Sequence, residues 1–266
     1  MTTDVRQARG RLWLLTAVML LSGASSLTYE ILWQRQMFLI FGASAPATTA
    51  ILTAIFLGIA VGSLLATRMA KSLPNPVVLY AVLEAVMGGW GFLVPYVLRV
   101  ADSLYVSSTH ALGEGHWLLA PLRFLLAIVP LLPATLAMGA TIPVMVRCVS
   151  QPGKSAVAWA YGVNILGAVL GCLLTGLVWL RVLGLDHTRF AAVGLNAVAF
   201  AFLVIVHRMG KAADQPSSTA DEATPDSPQE LTVSPRACAA MYFLAGFVAL
   251  GLEVLWLRFL GIVTSN

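Results

Sequence analysis

From Gln36 to Thr67 the chain carries no charged side chain, and from Ser155 to Leu180 it carries none either. Each run exceeds the roughly 20 residues that a helix needs to cross the hydrocarbon core of a bilayer. The apolar residues run continuously rather than alternating, which argues against a β-barrel. Only 11% of the residues are charged and 59% are hydrophobic, whereas soluble domains carry about 25% charged residues. A mean hydropathy of +0.85 over the whole length describes a polytopic membrane protein, not a soluble enzyme with one anchor. The net charge of +4 does not point to nucleic acid, because the basic residues fall at span ends, where topology uses them.

The spans are read as follows. The first starts near Leu12, reaches the Glu30 region and stays apolar to Phe41. The others run from about Pro46 to Ala66, Pro76 to Leu98, Trp117 to Val146, Ala156 to Leu180 and Phe190 to Val206, with a further one starting at Ala237. Arg6, Arg9 and Arg11 before an apolar stretch resemble a secretory signal, but apolar sequence continues past Ser22-Gly23-Ala24, so the first span is read as retained. The fourth stretch is too long for one straight span: thirty helical residues are roughly 45 Å, against a core of about 30 Å. It also holds Pro130, Pro133 and Pro143, and a kinked or broken element is expected there.

With the N-terminus inside, Arg6, Arg9, Arg11, Arg68, Lys71, Arg147, Lys154, Arg208 and Lys211 lie on the inner side, against Arg35, Arg99, Arg181 and Arg189 outside. That bias predicts an inner (cytoplasmic) membrane protein with a cytoplasmic N-terminus at 1–11. Residues 212–235 hold Asp214, Asp221, Glu222, Asp226 and Glu230 without a basic residue, and read as a disordered cytoplasmic linker. The expected organisation is an all-α, six-span major-facilitator-like bundle over 12–211, that linker, and the first span of a second repeat over 236–266.

An internal repeat supports the last element. Gly23, Leu27, Glu30, Leu32, Trp33 and Arg35 recur at matched offsets as Gly246, Leu250, Glu253, Leu255, Trp256 and Arg258. Repeated bundles of this kind build many transporter folds. Glu30 lies roughly 27 Å along its helix from Leu12, and Glu253 roughly 24 Å from Ala237. That depth is the outer edge of the core, where tryptophan serves as an interfacial anchor. Two readings stay open: an outer girdle with a local charge pair, or a cavity lining. Glu30 and Arg35 sit about 140° apart round one helix, so pairing across the repeat, Glu30 with Arg258 and Glu253 with Arg35, is geometrically easier.

Glu84 is the stronger buried carboxylate, roughly 12 Å into its span from Pro76, and Arg123 lies at a similar depth in the next. They read either as a structural ion pair, with each other or with a polar helix neighbour, or as a cation- or proton-binding site on a cavity. Glu84, Arg123, Glu30 and Glu253 are thus the candidate substrate-binding residues. Gly58 and Gly62, like Gly167 and Gly171, are spaced for close helix packing. Asn164 and Asn196 need hydrogen-bond partners inside apolar spans, and interhelical bonds are expected. Cys148, Cys172 and Cys238 show no metal spacing and read as free thiols packed as small apolar groups. His110, His116, His187 and His207 show no ligand spacing, so neither a metal nor a cofactor is expected.

Three blocks carry a resemblance. They are Ser22-Gly23 through Tyr29-Glu30-Ile31-Leu32-Trp33-Gln34-Arg35 with Leu57-Gly58-Ile59-Ala60-Val61-Gly62-Ser63-Leu64-Leu65-Ala66, then Leu132-Pro133-Ala134-Thr135-Leu136-Ala137-Met138-Gly139-Ala140-Thr141-Ile142-Pro143, then Tyr161-Gly162-Val163-Asn164-Ile165-Leu166-Gly167-Ala168-Val169-Leu170-Gly171. In that order they resemble the membrane region of fused transporter/spermidine synthase proteins. The resemblance implies a transporter-like helical region joined to a Rossmann-type domain similar to aminopropyltransferases. That domain needs a glycine-rich turn after a strand and an acidic ribose ligand, and no such constellation occurs here, so no catalytic residue is assigned. Arg68 and Lys71 stand where facilitator transporters have a short loop motif, but Ala66-Thr67 precede them without the usual acidic residue. Two functions follow: a module that binds or moves a small cationic metabolite such as a polyamine, or a non-transporting membrane anchor for an aminopropyltransferase-like enzyme. The implied partners are the lipid bilayer, a cationic small molecule, and an aminopropyltransferase-like domain or a second helix bundle.

Overall fold

The computed structural model describes residues 2–42, 45–69, 75–113, 115–148 and 154–211, together with scattered positions between 234 and 259. The chain divides into two compact units, Met1–Asp214 and Gln215–Asn266. In the second unit the described residues at 237, 240–241, 243–248, 251–252, 255 and 259 are helical.

The first unit is built of helices: α1 (Thr2–Phe41), α2 (Ala45–Met69), α3 (Pro76–Leu112), α4 (Leu119–Cys148), α5 (Lys154–Leu173), the short α6 (Leu180–Val182) and α7 (Gly184–Lys211). A π-helical segment, Leu174–Trp179, joins α5 to α6. Six helical stretches in this unit are long and apolar enough to cross a membrane. They overlap the six ranges expected in this region, but α3 runs to Leu112, well past the expected end at Leu98.

α4 decides one half of the expectation for the fourth stretch: the element is not broken. It is a single helix from Leu119 to Cys148 with Pro130, Pro133 and Pro143 inside it. Its neighbours and its own hydroxyls occupy carbonyls around the prolines. The Pro130 carbonyl accepts from Trp90 Nε1 of α3 at 2.7 Å, and Thr135 Oγ1 donates to the carbonyls of Leu131 and Leu132. Prolines are tolerated in spanning helices, where neighbouring helices and hydroxyl side chains supply alternative bonds; the carbonyls bonded here lie beside the prolines and are not the ones the prolines leave without a donor.

The principal helix pairs are α1 with α5 and α7, α4 with α2 and α3, and α3 with α7. Exchanging α1 with α4, α2 with α5 and α3 with α7 maps this set onto itself. Glycines show the same exchange at residue level. A Cβ on Gly23 would overlap the Asn164 carbonyl, and one on Gly139 the Ile59 carbonyl. A Cβ on Gly167 would overlap the Leu20 carbonyl, and one on Gly62 the Leu136 carbonyl. The helix pair α1·α5 therefore repeats the register of α4·α2. Small residues at these points let the backbones touch.

The core has two apolar layers. One gathers Tyr29, Trp33, Met37, Ile51, Ile55, Met87 and Leu131. The other gathers Leu15, Met19, Tyr80, Met145, Cys148 and Leu203. The polar residues of interest lie between them on α1, α3 and α7.

Candidate functional site

The helix that carries the central carboxylate is tightly started. Asn75 caps α3, its Oδ1 accepting from the Val77 and Val78 amides at 3.0 and 3.4 Å, and Pro76 occupies the first turn, the usual place for proline. Asn75 Nδ2 also lies 3.3 Å from His207 Nδ1 near the end of α7, which ties the two helices together at that end. The buried residues of α3 follow helical spacing, Val77, Tyr80, Ala81, Glu84, Met87, Gly88, Gly91 and Val94. Glu84 thus stands on the inward stripe, in a place where the period calls for an apolar residue. It is 0% exposed.

Around Glu84 the helices supply oxygen and amide groups. Asn196 Nδ2 of α7 donates to Glu84 Oε2 at 2.7 Å and reaches Ser25 Oγ of α1 at 3.1 Å. Ser25 Oγ in turn donates to the Ser22 carbonyl at 3.0 Å. Ser22 Oγ faces both the Glu84 carboxyl and the Tyr80 hydroxyl, without full hydrogen-bond geometry to either. Four buried oxygens here have no hydrogen-bond partner among the described residues: Glu84 Oε1, Asn196 Oδ1, Ser22 Oγ and the Tyr80 hydroxyl. Among the described residues no cationic side chain bonds to Glu84. Buried polar atoms left without a partner at this density call for an explanation.

The other expected residues are placed elsewhere. Arg123 binds the hydroxyl of Tyr105 and lies 5.3 Å from the centre of its ring. Glu84 and Arg123 therefore do not pair with each other; the polar neighbour of Glu84 is Asn196. Glu30 is half-buried on α1 and Arg35 is exposed. Trp33 is 2% exposed and stacks on Tyr29 with ring centres 5.3 Å apart. It is a core residue covered by helix packing, and does not present its ring outward as an interfacial anchor would. Gly246 is exposed in the second unit's helical stretch 243–248. Glu253, Trp256 and Arg258 lie outside the described residues, as do the pairings expected of them.

Gly58 and Gly62 pack on Thr135 and Leu136 of α4, and Gly167 and Gly171 on Leu20 and Ala24 of α1. Asn164 Nδ2 donates to the Met19 carbonyl at 3.1 Å, an interhelical bond like those of Asn196. Cys148 is buried, but Cys172 is exposed on α5, so only the first packs as a small core group; Cys238 lies outside the described residues. The sequence reading missed Ser22, Ser25 and Tyr80. Ser22 and Ser25 sit three apart in a run of small residues, and Tyr80 sits one turn before Glu84 on the same face, which was the available signal.

Arg189 forms a separate cluster near the start of α7. Its guanidinium lies 4.9 and 5.8 Å from the ring centres of Phe190 and Phe92, and 3.3 Å from Asp186.

No known family's sequence profile matches the chain, and no solved structure matches it. Over 204 residues it is 28% identical to polyamine aminopropyltransferase 1 of Streptomyces coelicolor, a match covering 74% of the chain. The chain spans about a third of that relative's length, 34%. The similarity is distant, and it links a bundle of long apolar helices to a protein named for polyamine chemistry.

Proposed function

We propose that the chain is the membrane-embedded module of a spermidine-synthase-type protein, and that it binds or moves a small cationic metabolite such as a polyamine. The similarity to a polyamine aminopropyltransferase over 74% of the chain carries this reading. The exchange of helix pairs between α1–α3 and α4–α7 favours a major-facilitator-like arrangement, in which three-helix repeats nest within each half. The lysine and arginine bias favours an inner membrane with the N-terminus in the cytoplasm.

The test is flux. The full-length protein in proteoliposomes should take up labelled spermidine or putrescine above the level of empty vesicles. Absence of uptake for either, with the protein shown to be folded, would defeat the transport reading.

One observation favours a second reading. The chain matches a third of a protein named for an aminopropyltransferase, which suits a non-transporting anchor holding such an enzyme at the membrane. Under that reading the full-length protein transfers aminopropyl groups at the same rate in membranes and after the helical module is removed. A rate that falls on removal would argue for a working module instead.

A further inference from the structure

We propose that Glu84, Ser22, Tyr80 and Asn196 form a closed site for one small monovalent cation, a proton or a sodium ion, and not for an amine. This goes beyond the polyamine reading and stands whether or not the module moves a polyamine.

The first argument is charge. Glu84 is fully buried, its hydrogen-bond partner is a neutral amide, and no cationic side chain among the described residues bonds to it. A carboxylate in such a place needs a counter-charge. The second is the donor set. The unpartnered atoms are a carboxyl oxygen, an amide oxygen and two hydroxyls, which are hard oxygen ligands suited to a hard cation. A proton on Glu84 Oε1 could donate toward Ser22 Oγ and satisfy two of them at once.

The third argument is size. A Cβ on Gly88 would sit 3.1 Å from Asn196 Cβ, so α3 and α7 are in close approach one turn from Glu84. Tyr80 and Met87 on the same stripe are both 0% exposed. An alkylammonium brings methylene groups that would have to displace these side chains. A proton adds no heavy atom, and a monatomic ion brings none of these methylene groups.

Other titratable groups face the site from each neighbouring helix. Tyr29 of α1 lies within electrostatic range of both Glu84 and Arg189 of α7. Tyr80 of α3 interacts with Cys148 of α4. Neither arginine nor thiol reaches the carboxyl itself, so titration of Glu84 is read separately by a carboxyl-specific signal.

The experiment is infrared difference spectroscopy on the full-length protein in nanodiscs, stepping pH without sodium and then adding sodium at fixed pH. The expected result is a carboxylic-acid carbonyl band that is lost in Glu84→Gln and kept in Glu30→Gln. A band that moves with pH alone identifies a proton; one abolished by sodium at fixed pH identifies the ion. If a Glu84-dependent signal ignores both pH and sodium, or if spermidine displaces it, the proposal is overturned. Should Glu84→Gln fail to fold, Ser22→Ala makes the assignment: the band must shift, and an unshifted band overturns the site. Because no flux is measured, loss of polyamine transport and loss of this site are separate outcomes.

Discussion

At the scale of single residues, the seam between α3 and α7 concentrates the molecule's polar cost. Asn196 serves two oxygens on two other helices, Glu84 Oε2 and Ser25 Oγ. Replacing Asn196 by leucine keeps most of the volume and removes the donor. Glu84 is then buried with neither oxygen satisfied, and such a group costs about 1–3 kcal/mol or more when charged. The N196L protein should unfold at a lower temperature in detergent by that order. The double substitution E84L/N196L should recover most of the loss, because removing both partners of a buried polar pair is often neutral. Additive losses would mean that the pair is not energetically coupled. Trp90 offers a milder test. Its Nε1 bond to the Pro130 carbonyl joins α3 to α4, and W90F should cost about 0.5–1.5 kcal/mol in the same unfolding assay; an unchanged midpoint would show that the bond adds nothing net.

At the scale of elements, glycines set how the helices meet, and the cost of filling them should be graded by what they touch. Gly139 and Gly167 press on backbone carbonyls of the facing helix, and a carbonyl cannot swing aside as a side chain can. G139A and G167A should therefore push α2·α4 and α1·α5 apart and lower the yield of folded, monodisperse protein. Gly176 and Gly194 meet nothing within 4 Å, so alanine there should be tolerated, and at Gly194, inside α7, helix propensity favours it by up to about 1 kcal/mol. Equal damage at all four positions, seen in size-exclusion profiles, would refute the packing argument. The helices themselves were readable from the sequence, because charge-free runs of this length leave a bilayer-spanning helix as the main solution. Their pairing was less readable. The two visible Gly-x-x-x-Gly motifs look alike, yet the contacts align Gly62 with Gly167, so Gly58 and Gly171 have different counterparts. A pairing register is a property of facing backbones, which spacing along one helix does not encode. The continuity of α4 was also hard to read, because three interior prolines weigh against it within the sequence itself. Of the site, Glu84 and Asn196 stood out as polar residues in apolar spans. That they meet, with Ser22 and Ser25 beside them, depends on α1, α3 and α7 converging.

At the scale of the whole molecule, orientation in the membrane is the property on which the proposed function most depends. α7 runs from Gly184 to Lys211, roughly 42 Å of helix at about 1.5 Å per residue, enough to cross a core of about 30 Å with both ends in water. Asp186 stands at one end with a side chain 75% exposed, and Arg208 is exposed at the other. The basic residues Arg208 and Lys211 follow the apolar stretch, and the positive-inside bias assigns that end to the cytoplasm. In a background with Cys148, Cys172 and Cys238 replaced, D186C should react with a membrane-impermeant thiol reagent on intact cells. R208C should react only after the membrane is opened. The reverse pattern would invert the molecule and place a linker after Lys211 outside, where it could not join a cytoplasmic transferase. Equal labelling of both positions on intact cells would mean that α7 does not span, and the membrane-module reading would fall with it.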